Sequence, residues 1–466
     1  MIAFVSVFCY FLLISSLALI AHRGQKSSSQ FLLGRRSLGA CVTALSAHAS
    51  DMSSWIFMGL PATLYVGGVS GLWIACSLLI GMWLNWTWVA PALRKETETL
   101  NCLTLGSYFQ HKAGDPHGIM QILLAVYQVF FFSLYICAGF IGGGLLFQSL
   151  FGVSYSMGVV LTALLATLYV FWGGFIMVAW TDFFQAILFL FSLILVPTLA
   201  FVDVGSPLPS IRTLSLHSLC PSMIQEISLL GWGLGYFGQP HIVTKFMGIQ
   251  RVDQLTFARR IGMTWLFLAL VFASASGLLG SLVFVTPLKN PETVFISMSS
   301  LFLPPLADAF IRCTILSAII STVNAQLLVL ASYISEDVFH KYISPTAHSR
   351  TVISVSRWSA VCVSILASII SLYTHEGIFD MVSFAWAGLG STFGPLLLGC
   401  LFWPRLSHQG AICGLIAGGS APLIMHYLNP SFSSTAVSFI CGCAALIGGS
   451  LFFPKKQEKP NMPSHF

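Results

Sequence analysis

About thirteen apolar runs divide this chain, each near the roughly 20 residues that a helix needs to cross a bilayer. They lie near 2–21, 40–66, 69–91, 118–149, 155–174, 182–202, 224–242, 262–286, 302–333, 352–373, 379–401, 409–428 and 435–453. In hydrocarbon every backbone N–H and C=O must be satisfied within the protein, so a span is either a helix or part of a closed barrel. Barrel strands alternate apolar and polar residues, and these runs do not alternate. The expected fold is therefore an all-α polytopic membrane protein. Charged residues make up only 8% of the 466, against about a quarter in soluble domains. No connection has room for a soluble catalytic domain, and the longest outer loop, 203–222, is short. An enzyme is not expected, because no His/Glu or Cys/His pairing with catalytic spacing stands in a helix.

Charge orients the bundle. With the N-terminus outside, the inner side holds Arg23, Lys26, Arg35, Arg36, Arg94, Lys95, Lys112, Lys245, Arg251, Arg259, Arg260, Lys341, Arg350, Arg357, Arg405, Lys455, Lys456 and Lys459. The outer side holds Arg212, Lys289 and Arg312. This positive-inside asymmetry predicts an external N-terminus and a cytoplasmic C-terminus. The net charge of +6 then reflects topology and gives no reason to expect a nucleic-acid partner. Run 2–21 lacks a basic leader and a cleavage site and reads as an uncleaved helix. The twelve cysteines are scattered without a CxxC pair and read as small buried hydrophobes. The tail PKKQEKPNMPSHF is polar and expected to be disordered.

Three polar or glycine-rich clusters interrupt the apolar runs. SAHASDMSSW, 46–55, places a carboxylate, a histidine and four serines inside the second span. Ser and Asp compete for backbone hydrogen bonds and weaken a helix locally. Asp51 could simply cap a second half-helix. A functional break would instead free carbonyls for a small hard cation and N–H groups for an anion, and intramembrane carboxylates are functional by default. LSAIISTVNAQLLVL, 316–330, holds Ser317, Ser321, Thr322 and Asn324. Its hydroxyls could bond back to their own helix, or Ser321 and Thr322 could offer neutral oxygens to a monovalent cation. LLGWGLGYFGQPHI, 229–242, carries four glycines and Pro240, so a continuous helix is not expected. Trp232 and Tyr236 could be packing anchors or the aromatic wall of a substrate site.

The second and seventh spans, both interrupted, each open a set of five helices. Interrupted helices at matching places in two halves mark inverted-repeat transporters. No GxxxxGK[ST] nucleotide loop is present.

At these residues the sequence resembles the solute:sodium symporter family. The matching stretches are FLLGRRSLGACVTALSAHASDMSSW, FSLYICAGF, VAWTDFFQA, LGWGLGYFGQPHI, ARRIGMTW, LSAIISTVNAQLLVLASYISED and SFAWAGLGSTFGP, from residue 31 to about 395. The resemblance implies a 5+5 inverted-repeat core, with repeats at 38–202 and 203–401. Residues 1–37 would form a first helix and basic inner loop, 402–453 two peripheral helices, and 454–466 a cytoplasmic tail. It implies a sodium site made by carbonyls of Ala49, Met52 and Ala318 and the hydroxyls of Ser321 and Thr322. Asp51 would organise that site, and Asp182 would lie near the inner ion path, although its residues alone read as an N-cap of the sixth helix. Ser53, Trp55, Tyr135, Trp232 and Tyr236 would line the substrate site.

The implied activity is sodium-coupled import of L-proline by alternating access across a bacterial inner membrane. Na+ is the coupling ion, with no other cofactor and no obligate protein partner. A family symporter of another small solute, such as pantothenate or another amino acid, is an alternative, and a sodium-binding sensor or channel is a more distant one. His48 and Ser54 depart from the family pattern, standing where its proline-carrying members have glycine.

Overall fold

The computed structural model describes residue 16 and residues 27–115, 117–204, 229–284, 286–374, 376–428 and 435–454. The expected first span apart from residue 16, nearly all of loop 203–222, the start of the seventh span, Arg23, Lys26, Arg212 and the tail from 455 lie outside the described residues. The described chain is helical, and its one extended pairing is an isolated bridge between Leu38 and Ile249.

Nine described helices are long and apolar enough to cross a membrane. Beyond the first run, which lies almost wholly outside the described residues, they do not match the thirteen runs one for one, for two reasons. Trp55–Thr99 has 45 residues and Tyr155–Val204 has 50, each more than twice the length that crosses about 30 Å of hydrocarbon. Each turns at a glycine with positive φ: Gly68 at 66° and Gly174 at 58°, a conformation costly for other residues. The other reason is that the second and seventh spans are broken into shorter pieces.

The turn at Gly174 corrects one expectation. The helix resumes directly after it, so Asp182 lies about two turns inside and is not an N-cap.

The first broken helix runs over Ala40–Ala49, loosens at 50–54, and resumes as a π-turn, Trp55–Gly59, before Leu60–Gly67. The second is a 3-10 helix, Gly231–Gly238, an extended Gln239, and the α-helix Pro240–Met247. Proline suits a first helical position, where its missing N–H costs nothing.

Between the breaks stands Pro305–Ser332, whose residues 313–330 are all buried except Val329. It packs on Ile119–Phe151 and on Tyr155–Val204. Ile378–Phe402 packs on the second broken helix, where Gly390 and Gly235 bring two backbones together. His408–Leu428 and Thr435–Phe452 pair at the periphery. Large apolar side chains such as Trp88, Trp172, Ile187, Trp358 and Ile440 point outward, which suits contact with lipid.

Candidate functional site

At the first break the helical ladder changes partner. The Ser53 N–H donates to Asp51 O at 3.2 Å and not to Ala49 O, its α-helical acceptor. The hydroxyls of Ser321 and Thr322, from the central helix, both stand 3.4 Å from Ala49 O. The two sequence clusters thus meet inside the bundle, and Ala49, Ser321 and Thr322 are all buried. Met52 lies in the loosened stretch and Ala318 one turn before Ser321, both fully buried. The hydroxyl contacts between the two clusters run through the Ala49 carbonyl and not through them.

The Ser321 hydroxyl has a nearer partner, Asp182 Oδ1 at 2.6 Å. A carboxylate only accepts, so Ser321 donates its one proton there. Asp182 Oδ2 accepts from Ser46 Oγ and from Lys245 Nζ, both at 2.9 Å. One carboxylate therefore links the first broken helix, the central helix and the second broken helix. Asp182 is fully buried and the Lys245 side chain is 2% exposed. The charge asymmetry assigns Lys245 to the inner loops; it lies instead within the second broken helix, held in an ion pair. Reading it as an ionisable residue in an apolar stretch would have flagged it as functional.

Asp51 does not cap the following half-helix. Its Oδ2 accepts from Tyr236 Oη at 2.6 Å, and its carbonyl accepts from Trp55 Nε1 at 2.8 Å. Asp51 Oδ1 and Ser53 Oγ are buried without a partner. Trp55 and Trp232 approach at 6.4 Å between ring centroids, and Trp232 stacks on Phe379 at 5.3 Å and Trp386 at 6.2 Å. The edge of Tyr236 meets Trp386 at 5.1 Å. Trp232 and Tyr236 do not share one face as in an α-helix, because the 3-10 segment turns every three residues; Trp386 contacts both. Tyr135 stands edge-on to His241 at 6.0 Å, its hydroxyl and both His241 nitrogens buried and unpaired. The expected wall residues therefore gather around the two breaks. Trp386, Phe379 and His241 join them and were not singled out from the sequence.

His48 and Ser54 both face packing partners. His48 lies between Trp86 and Trp265, at 6.2 and 5.9 Å, and accepts from Trp86 Nε1 at 3.4 Å. A Cβ on Gly262 would come within 2.5 Å of His48 Nε2, and one on Gly142 within 2.9 Å of Ser54 Cβ. Glycine on the facing helix makes room for each larger side chain.

A membrane-embedded helical bundle with two broken helices, whose breaks collect buried oxygens on one side and aromatic rings on the other, is a transporter architecture. The profile of the sodium:solute symporter family matches residues 31–418, and the chain belongs to that family. It is 37% identical over 454 residues to the high-affinity proline transporter PutP of Bacillus subtilis, covering 95% of both chains. It is 38% identical over 439 residues to a sodium/proline symporter of Staphylococcus aureus, covering 90% of this chain and 85% of that one. Among solved structures, a Na+-coupled sialic acid symporter shares the fold with TM-score 0.83 at 16% identity, over 98% of this chain and 99% of that one.

Proposed function

We propose that this chain is a sodium-coupled importer of L-proline working by alternating access in a bacterial inner membrane, with the N-terminus outside and the C-terminus cytoplasmic. The observation that carries the coupling is the meeting of Ser321 and Thr322 with Ala49 O at the first break. The Ser321 proton is committed to Asp182, so the Ser321 and Ala49 oxygens face each other as acceptors. A monovalent cation with a preference for hard oxygen ligands would bridge them. Met52 and Ala318 carbonyls would complete the shell. The similarity to proline carriers over nearly the whole chain supports proline as the substrate.

Sodium would bind first and fix the break, with Asp51 and Tyr236 holding its far side. The proline carboxylate would meet N–H groups near Ser53 at the start of the second half-helix, where the dipole favours an anion. The ring would pack among Trp55, Trp232 and Tyr236, with Tyr135 closing the wall. A ligand shifts a conformational equilibrium only by its differential affinity, so tight coupling follows if the occluded state needs both ligands. A tenfold sodium gradient supplies about 1.4 kcal/mol and 100 mV about 2.3 kcal/mol per charge, enough together for roughly 500-fold accumulation.

The test is uptake of labelled proline into proteoliposomes. Sodium-dependent, voltage-stimulated uptake is expected, competed by excess proline and not by pantothenate or other amino acids. Equal uptake when choline replaces sodium would refute the coupling.

A further inference from the structure

Lys245 is absent from the transport scheme above, yet its partner Asp182 touches the ion site. Asp182 is one hydroxyl from the Ala49 carbonyl: Asp182 Oδ1 to Ser321 Oγ is 2.6 Å, and Ser321 Oγ to Ala49 O is 3.4 Å. Its other oxygen carries the Lys245 ammonium at 2.9 Å. That ammonium otherwise faces the Phe175 ring, 5.3 Å from its centroid, so Asp182 is its one anionic neighbour in the described geometry. Both members are buried, where a charge without a partner is strongly unfavourable.

We propose that Lys245 is a built-in cation that balances Asp182 and thereby limits the site to one incoming sodium ion per cycle. The proposal rests on reading Ala49, Ser321 and Thr322 as the sodium seat. A bare carboxylate one hydrogen bond from that seat would itself recruit a mobile cation. With the ammonium fixed on Oδ2 the pair is neutral, and the seat adds a single charge. The carboxylate still takes the Ser321 proton, which turns that oxygen's lone pairs toward the ion. Lys245 sits on the half of the second broken helix that follows the break, and Asp182 sits on a different helix, so the pair also ties ion occupancy to the position of that half-helix.

The experiment is proline uptake in proteoliposomes by wild type, Lys245→Gln, Lys245→Arg, Asp182→Asn and the Asp182→Asn/Lys245→Gln double variant. Each is read for sodium half-saturation and for the sodium-to-proline ratio at the reversal potential. Lys245→Gln is expected to lower the half-saturating sodium concentration about tenfold and to raise the ratio from one toward two, because Asp182 now attracts a second ion. Asp182→Asn, which leaves a lone ammonium beside the seat, should raise it at least about tenfold. The double variant, with no unpaired buried charge, should fold where either single does not and lie within about threefold of wild type. Lys245→Arg should keep the wild-type ratio.

A Lys245→Gln protein with the wild-type ratio and sodium dependence would overturn the proposal. So would a double variant as impaired as Asp182→Asn. If wild-type uptake itself ignores sodium, the coupling reading falls along with the proposal. Sodium-dependent wild-type uptake with unresponsive variants removes the charge-balance role alone.

Discussion

The two broken helices solve one problem with different chemistry. Breaking a helix inside a bundle strands carbonyls that need a donor. At the second break, rigid N–H donors supply it: Trp386 Nε1 to Trp232 O and Asn85 Nδ2 to Tyr236 O, both at 2.9 Å. At the first break, Trp55 Nε1 caps Asp51 O at 2.8 Å in the same way, but the Ala49 carbonyl is met only by hydroxyls. An N–H group cannot turn a lone pair toward a cation, whereas a hydroxyl carries both a proton and lone pairs. A break capped by N–H groups is closed to an ion and serves as shape; one faced by hydroxyls can admit an ion. The aromatic rings follow the same division, gathering along the capped break as a wall.

Substitutions can break that comparison, and the largest effect should come from its steric side. A Cβ on Gly233 would overlap the Ser77 carbonyl, and one on Gly235 would overlap the Trp386 indole. Backbone cannot retreat as a side-chain tip can. Gly233→Val is expected to cost more than the roughly 1–3 kcal/mol usual for overpacking. Loss of monodisperse protein in detergent size-exclusion chromatography checks this; a normally folded variant would show that the close approach is not needed.

Next in size, the hydroxyl side should respond through sodium and not through folding. Losing one neutral oxygen of about 1 kcal/mol shifts affinity about fivefold, so Thr322→Ala should raise half-saturating sodium by that factor. The Ser321→Ala/Thr322→Ala pair should raise it roughly 30-fold if the two effects add. An unchanged sodium curve in the pair would remove both residues from the ion site. Trp386→Phe is the mirror image. It strips the donor from Trp232 O and should lower unfolding stability by about 1–3 kcal/mol, with sodium half-saturation unmoved. Thermal unfolding beside a sodium titration separates the two, and a sodium shift here would erase the distinction between the breaks.

Much of this is legible in the sequence. Helical spans announce themselves by apolar length, and both breaks by polar or glycine content where lipid permits neither. Ser321 and Thr322 could be paired with the first break only through the family resemblance, because nothing local says which helices touch. Lys245 was hidden by its neighbours: a lysine six residues before Arg251 counts as inner-loop charge until the fold places it opposite Asp182. Asp182 was misplaced because the kink at Gly174 lies eight residues before the point where apolar content suggests a new helix. Trp386 carried no signal, since one tryptophan in an apolar run is ordinary packing.

The smallest effect concerns the Gly68 end of the bundle, outside the spans, where the aromatic wall is anchored. Glu292 Oε1 accepts from the Phe379 N–H at 3.2 Å, and Phe379 stacks on Trp232. Burial pushes the Glu292 carboxyl above its ordinary value of 4.5, the Phe379 and Ile378 N–H groups oppose that shift, and the charge of Asp380 adds to it. The raised value means that the folded state favours the protonated acid. The stabilisation is therefore fully present below pH 4.5 and is lost as pH rises through the raised value. Glu292→Gln should flatten this dependence, giving a melting temperature that falls less across that window than in wild type. If the substitution changes the pH slope and also the half-saturating proline concentration, the wall is adjusted from its outer edge. A changed slope with proline affinity constant makes Glu292 a helix anchor alone, and an unchanged slope would mean that the carboxyl does not titrate with folding.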